Sequence, residues 1–183
     1  GTVRVFGEDL DRWNRKRLAA AMCYVPQPDE APAPFTVKEF VMTGLYPHLS
    51  PFSRLGHEER DRVGAALERV GMSGFSDRMV GTLSGGERQK VRIAAALVQG
   101  ASLLLLDEAT AFLDPHHRAD VLRLLADLNG SQDLSILFIT HDVNCAAVFS
   151  DRVLALSGGC IAYDGVPRGL MDPDVLYRIY GRG

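Results

Sequence analysis

The chain has 183 residues, of which 46% are hydrophobic and 23% charged; at a loose prior of about 150 residues per domain one compact unit with room for a subdomain is expected, and disordered, fibrous and collagen-like classes are excluded. Twenty Lys and Arg against 23 Asp and Glu leave a net charge of −3, so no overall basic field exists to neutralise phosphate backbones and general nucleic-acid binding is disfavoured. No uninterrupted apolar run reaches the roughly 18 residues that a membrane helix needs, and Gly1 to Arg17 is too polar for an export signal.

Thr2 to Phe6 alternates in the manner of a strand and is followed by Gly7, and Arg12 to Met22 reads as a helix that ends near Tyr24-Val25-Pro26-Gln27-Pro28. The stretch 28–34, Pro-Asp-Glu-Ala-Pro-Ala-Pro, is a loop rich in breakers. Helices are predicted around Val37 to Thr43 and from Glu58 to Val70, the second closed by Gly71, with a Pro-, Ser- and Gly-containing loop from Tyr46 to Gly56 between them.

From Leu83 the elements alternate strictly. Glu87 to Val98 is a predicted helix, Leu103 to Leu106 an apolar strand, Pro115 to Leu128 a helix ended by Asn129-Gly130, and Ile136 to Thr140 a second apolar strand. A helix from Asp142 to Phe149, strands at Val153 to Leu156 and Cys160 to Tyr163 around Gly158-Gly159, and a helix after Pro173 complete the chain. Short apolar strands alternating with helices imply an α/β protein with a parallel sheet covered on both faces and ligand chemistry at the carboxyl ends of its strands. Cys23, Cys145 and Cys160 are odd in number and lack metal-type spacing, which fits a reducing compartment.

Two segments carry chemistry. Leu103-Leu104-Leu105-Leu106-Asp107-Glu108 sets adjacent carboxylates where a strand leaves the core. Neighbouring strand residues point opposite ways, so one acid can hold a hydrated Mg²⁺ while the other orients a water; solvated acids at a strand end are the plainer alternative. Leu83-Ser84-Gly85-Gly86-Glu87 precedes a helix, and Ser84 with Glu87 forms a capping-box pattern. Two consecutive glycines nonetheless suggest a close backbone approach, and free amides beside a hydroxyl suit an anion.

In order along the chain, Tyr24-Val25-Pro26-Gln27, Leu83 to Glu87, Leu103 to Glu108, Ala111-Phe112-Leu113-Asp114 and Ile139-Thr140-His141-Asp142 resemble the Q-loop, signature, Walker B, D-loop and H-loop of ATP-binding cassette ATPases. The resemblance implies a P-loop NTPase (RecA-like) parallel-sheet core with a helical subdomain. Its expected division is 1–27 core, 28–82 helical subdomain, 83–165 core and 166–183 C-terminal helix.

The resemblance also implies roles. Asp107 and Gln27 would serve Mg²⁺, Glu108 would act as general base, and His141 would meet the γ-phosphate of ATP. Ser84, Gly85, Gly86 and Glu87 would contact a nucleotide held by a second ATPase subunit, a homodimer, with the D-loop Asp114 nearby. Gln27 would couple the site to membrane permease subunits served by a periplasmic or lipid-anchored substrate-binding protein, on the cytoplasmic side of the membrane. From the residues alone the plainer readings are favoured, His141 as a cap for the following helix, Gln27 as a loop residue and Asp114 as an N-cap before Pro115, and the ordered motif set turns the balance for His141 and Gln27.

Val41 to Leu49, with Tyr46-Pro47-His48, resembles the importer ATPases for ferric siderophores, haem and cobalamin; zinc or manganese importers are the alternative. His48 lacks companions at ligand spacing, so a packing or partner-facing role is expected. The phosphate-cradling pattern G-x-x-x-x-G-K-[ST] does not occur, and the lysines Lys16, Lys38 and Lys90 lie outside it. The expectation is therefore a truncated form, inactive in ATP hydrolysis alone, prone to self-association through exposed sheet, and open to a non-enzymatic binding role. Cassette ATPases of chromosomes are disfavoured by the acidic charge and the lack of long coiled-coil segments.

Overall fold

The computed structural model describes residues 1–27, 34–50, 55–131 and 134–181. The expected loop at 28–34 lies almost wholly outside these residues, as does the middle of the one expected at 46–56. The chain divides into two compact units, Gly1–Ile139 and Thr140–Gly183.

The first unit opens with β1 (Arg4–Val5) and β2 (Glu8–Asp9), an antiparallel pair turning through Phe6 and Gly7 at positive φ. Helix α1 (Arg15–Ala21) starts where the Asn14 side chain accepts from the Arg17 amide. It is shorter than the predicted Arg12–Met22, because Met22 already belongs to β3 (Met22–Val25). Sequence patterning missed β3, four residues with a helix on one side and Pro26 on the other.

Thr36 and Glu39 close a reciprocal cap on α2 (Val37–Met42), which continues as 3-10 turns over Thr43–His48. His48 sits in these turns, exposed, and its Nε2 lies 2.6 Å from the Gln99 carbonyl. Next come α3 (His57–Arg69), α4 (Gly85–Gln99), β4 (Leu103–Asp107), α5 (Pro115–Ser131) and β5 (Ser135–Ile139). Helix α5 passes through Asn129 and Gly130 instead of ending there. Leu128 is buried, and Asn129 Nδ2 donates 2.8 Å to the Leu134 carbonyl beyond the helix, so the asparagine ties the exit down without a left-handed cap.

Strands β3, β4 and β5 pair in parallel in that order, with Cys23, Leu104 and Ile136 in one rank and Val25, Leu106 and Phe138 in another. Both ranks join one apolar core with Val91, Ile93, Ala94 and Val98 of α4 and Val121 and Leu125 of α5. The opposite face is not covered as expected. Tyr24 is 54% exposed, Leu137 52% and Ile139 53%. The uniformly apolar Ile136-Leu137-Phe138-Ile139 hid this, because burial alternates with period two whatever the composition.

The second unit contains α6 (Val143–Phe149), the hairpin of β6 (Val153–Ser157) and β7 (Cys160–Gly165), α7 (Pro167–Leu170) and α8 (Pro173–Tyr180). Gly158 and Gly159 both take positive φ, 55° and 79°, which a two-residue turn between right-twisted strands requires. These strands are antiparallel to each other. Val153, Leu170 and Val175 form the unit's own small core.

Candidate functional site

Strand β4 delivers Asp107 to its carboxyl end, and the chain then turns sharply at Glu108, whose φ is 45°. Two hydrogen bonds hold that left-handed residue: its amide donates 3.0 Å to the Ile139 carbonyl, and its own carbonyl accepts from the Ala111 amide at 2.8 Å. A non-glycine residue in this conformation costs of order 1–3 kcal/mol and persists only where the surroundings over-determine it.

The segment from β3 to Gln27 supplies a partner for each acid. The Tyr24 hydroxyl donates to Asp107 Oδ2 at 2.9 Å, and Gln27 Nε2 donates to Glu108 Oε2 at 3.3 Å. The structure thus gathers Gln27, Asp107 and Glu108 at the same strand ends. The bond to Asp107, a negatively charged acceptor, raises the Tyr24 phenol pKa above its ordinary value.

Ser84 is the N-cap of α4: its hydroxyl oxygen accepts from the Glu87 amide at 3.3 Å, and Glu87 Oε2 accepts from the Ser84 amide at 2.7 Å. The Ser84 backbone N–H is also the main reason the Glu87 carboxyl lies below the usual carboxylate range. The Ser84 hydroxyl also serves the Glu87 carboxylate, and Gly85 and Gly86 supply first-turn amides that a helix does not bond internally.

The glycines have a neighbour of their own. A Cβ on Gly86 would lie 2.7 Å from His117 Cδ2 and 2.9 Å from His117 Cβ, and one on Gly85 would lie 3.3 Å from Leu113 Cδ2. Close approach is therefore real, and within this chain it is to the start of α5. Asp114 organises that start. Its Oδ1 accepts from the amides of His116 and His117 at 3.0 and 3.1 Å, which makes it the N-cap, and its Oδ2 meets His117 Nδ1. That side-chain bond is the leading cause of the lowered Asp114 pKa. His117 thus bridges the signature-like turn and the D-loop-like turn. Sequence patterning missed it, although an aspartate cap with a histidine three residues on is a usable signal.

Between these turns, Ala109 and Thr110 are buried while Phe112 is 84% exposed at φ 63°. Among the described residues nothing packs over this left-handed phenylalanine.

His141 is the second residue of the second unit, exposed, one residue before the cap of α6. Asp142 provides that cap, accepting from the Cys145 amide at 3.0 Å, so His141 does not act as the cap considered above.

Among the described residues no group of three or more His, Cys, Asp or Glu is placed to hold a metal ion by itself. Two adjacent acids and an amide do fit Mg²⁺, which keeps several waters and takes one or two carboxylates with phosphate oxygens.

The family described as ABC transporter matches residues 1–111. The chain is 42% identical over 180 residues to the iron(3+)-hydroxamate import ATP-binding protein FhuC of Bacillus subtilis (strain 168), which covers 98% of this chain and 67% of the relative. It is 35% identical over 181 residues to the ferric enterobactin transport ATP-binding protein FepC of Escherichia coli (strain K12), covering 99% and 67%. A solved metal-chelate type ABC transporter in an inward-facing conformation superposes with a TM-score of 0.82 at 29% identity, over 87% of this chain and 63% of that one. The chain thus spans about two thirds of the length of the proteins it matches.

Proposed function

The chain belongs to the ABC transporter family, and on that premise we propose that it carries the catalytic and subunit-facing part of the ATPase of an importer for a ferric siderophore or a related chelate such as haem or cobalamin. Zinc or manganese import is the weaker reading, because the relatives named above act on ferric hydroxamate and ferric enterobactin.

One observation supports the ATPase reading most: Asp107 and Glu108 stand side by side at the carboxyl end of β4, each hydrogen-bonded from β3 or the turn after it. In phosphoryl transfer the protein mainly positions groups and neutralises charge. Asp107 and Gln27 would hold Mg²⁺, which when bound would offset charge on the phosphates. Glu108 would orient the attacking water and accept its proton, His141 would donate to the γ-phosphate, and Ser84, Gly85 and Gly86 would offer a hydroxyl and amides to a nucleotide on a second ATPase subunit. Glu87 would keep that turn in shape through its bond to the Ser84 amide, and Asp114 would do the same from the neighbouring turn. The helical segment 28–82 would face the permease on the cytoplasmic side of the membrane.

The 183 residues hold no G-x-x-x-x-G-K-[ST] pattern, so the chain alone is expected to show negligible ATP turnover. The test joins the N-terminal third of the Bacillus subtilis FhuC relative ahead of Gly1. That chimera is expected to hydrolyse ATP, and Glu108→Gln to slow it about 10²–10⁴-fold, the range for loss of a positioned general base. A Glu108→Gln chimera that hydrolyses ATP as fast as its parent would overturn the assignment.

A further inference from the structure

Resting on the reading of Asp107 as the metal-serving carboxylate, we infer that Tyr24 is its positioning residue, the group that fixes which way that carboxylate faces. In the parallel register Tyr24 stands opposite Leu105, and therefore on the same sheet face as Asp107, two residues further along β4. Two residues of strand are about 6.6 Å at the usual rise, a gap that the long axis of a phenol spans and a serine or threonine side chain does not. The observed hydroxyl-to-carboxylate distance of 2.9 Å closes it.

Packing does not account for this side chain, since the ring is 54% exposed. What the residue contributes is a rigid arm with two torsions and a hydroxyl donor at its tip. The donor engages Oδ2 and leaves Oδ1 for a cation or its bound water. The partner arrangement from Gln27 to Glu108, 3.3 Å, repeats the device on the adjacent acid, so one strand and its following turn orient both carboxylates. Hydrogen-bonded partners of metal-holding groups are typically worth 10–100-fold in metal affinity. Exposure to water puts Tyr24 at the lower end, about 10-fold.

The experiment needs neither ATP nor turnover. The ¹⁵N-labelled chain is titrated with Mn²⁺ alone, and paramagnetic broadening of the Asp107 and Glu108 amide signals is followed in the wild type, in Tyr24→Phe and in Asp107→Asn. Tyr24→Phe removes one oxygen from a half-exposed ring, and unchanged amide positions outside β3 and β4 confirm an intact fold. The expected result is that Tyr24→Phe needs about tenfold more Mn²⁺ for half-broadening, while Asp107→Asn loses the effect. Equal titration of wild type and Tyr24→Phe, with Asp107→Asn silent, would overturn the role of Tyr24 and leave Asp107's role standing. Indistinguishable behaviour of wild type and Asp107→Asn would overturn the metal reading of Asp107 and this inference with it.

Discussion

Gly86→Ala tests whether the signature-like glycine is required by this chain's own packing. The added Cβ would sit 2.7 Å from His117 Cδ2, 2.9 Å from its Cγ and 2.9 Å from its Cβ. Turning the imidazole relieves only the ring contacts, because His117 Cβ is fixed to the backbone of α5, and the ring is held by Asp114. The first turns of α4 and α5 must therefore separate. Overpacking of this kind costs about 1–3 kcal/mol. Against it stands the helix preference of alanine over glycine, about 1 kcal/mol in a helix interior and less in a first turn. The net expectation is a loss of about 1–2 kcal/mol.

The assay is urea unfolding of a double-mutant cycle with His117→Gly, which removes the ring and the Cβ that the added methyl would meet. In that background Gly86→Ala should cost less than about 0.5 kcal/mol, so the coupling between the two positions should be about 0.5–2 kcal/mol, within the range for residues in contact. Additive effects, within about 0.3 kcal/mol, would show that His117 does not hold Gly86, and the need for glycine there would have to come from a ligand or partner alone.

Lowered carboxyl pKa values give stability a definite pH dependence. Glu39, Glu87 and Asp114 are held below their ordinary values, chiefly by the Thr36 amide, the Ser84 amide and the His117 side chain respectively. Groups depressed on folding contribute fully above the unfolded pKa, about 4, and lose the contribution as pH falls through the folded value. The urea midpoint should therefore drop between pH 5 and pH 3, roughly, and Glu87→Gln should lower it at pH 7 while flattening that drop; a variant as steep as the wild type would refute the contribution of Glu87. The exposed apolar face carrying Tyr24, Leu137 and Ile139 should make gel-filtration volume depend on concentration. Leu137→Lys with Ile139→Lys should abolish that dependence, and an unchanged profile would place the contact elsewhere.

Local order was legible in the residues because local physics decides it. The Ser84–Glu87 cap, the Asp114-Pro115 start of α5 and the apolar run into Asp107 and Glu108 each depend on neighbours within about four residues, and they stand where the patterns put them. The ordered motif set likewise needed only the linear sequence. Strand β3 escaped, since four residues carry too little periodicity to stand out beside a helix.

What only the tertiary structure decided were the long-range meetings. Tyr24 reaches Asp107 across 83 positions and Gln27 reaches Glu108 across 81, through a parallel register that no local pattern encodes. His117 meets Gly86 because α5 starts against α4. The sheet buries one face and exposes the other although both are apolar in sequence. Residue type determines which groups are available; chain packing determines which of them share a hydrogen bond and which meet water, because contact free energies depend on distances that the order of residues does not contain.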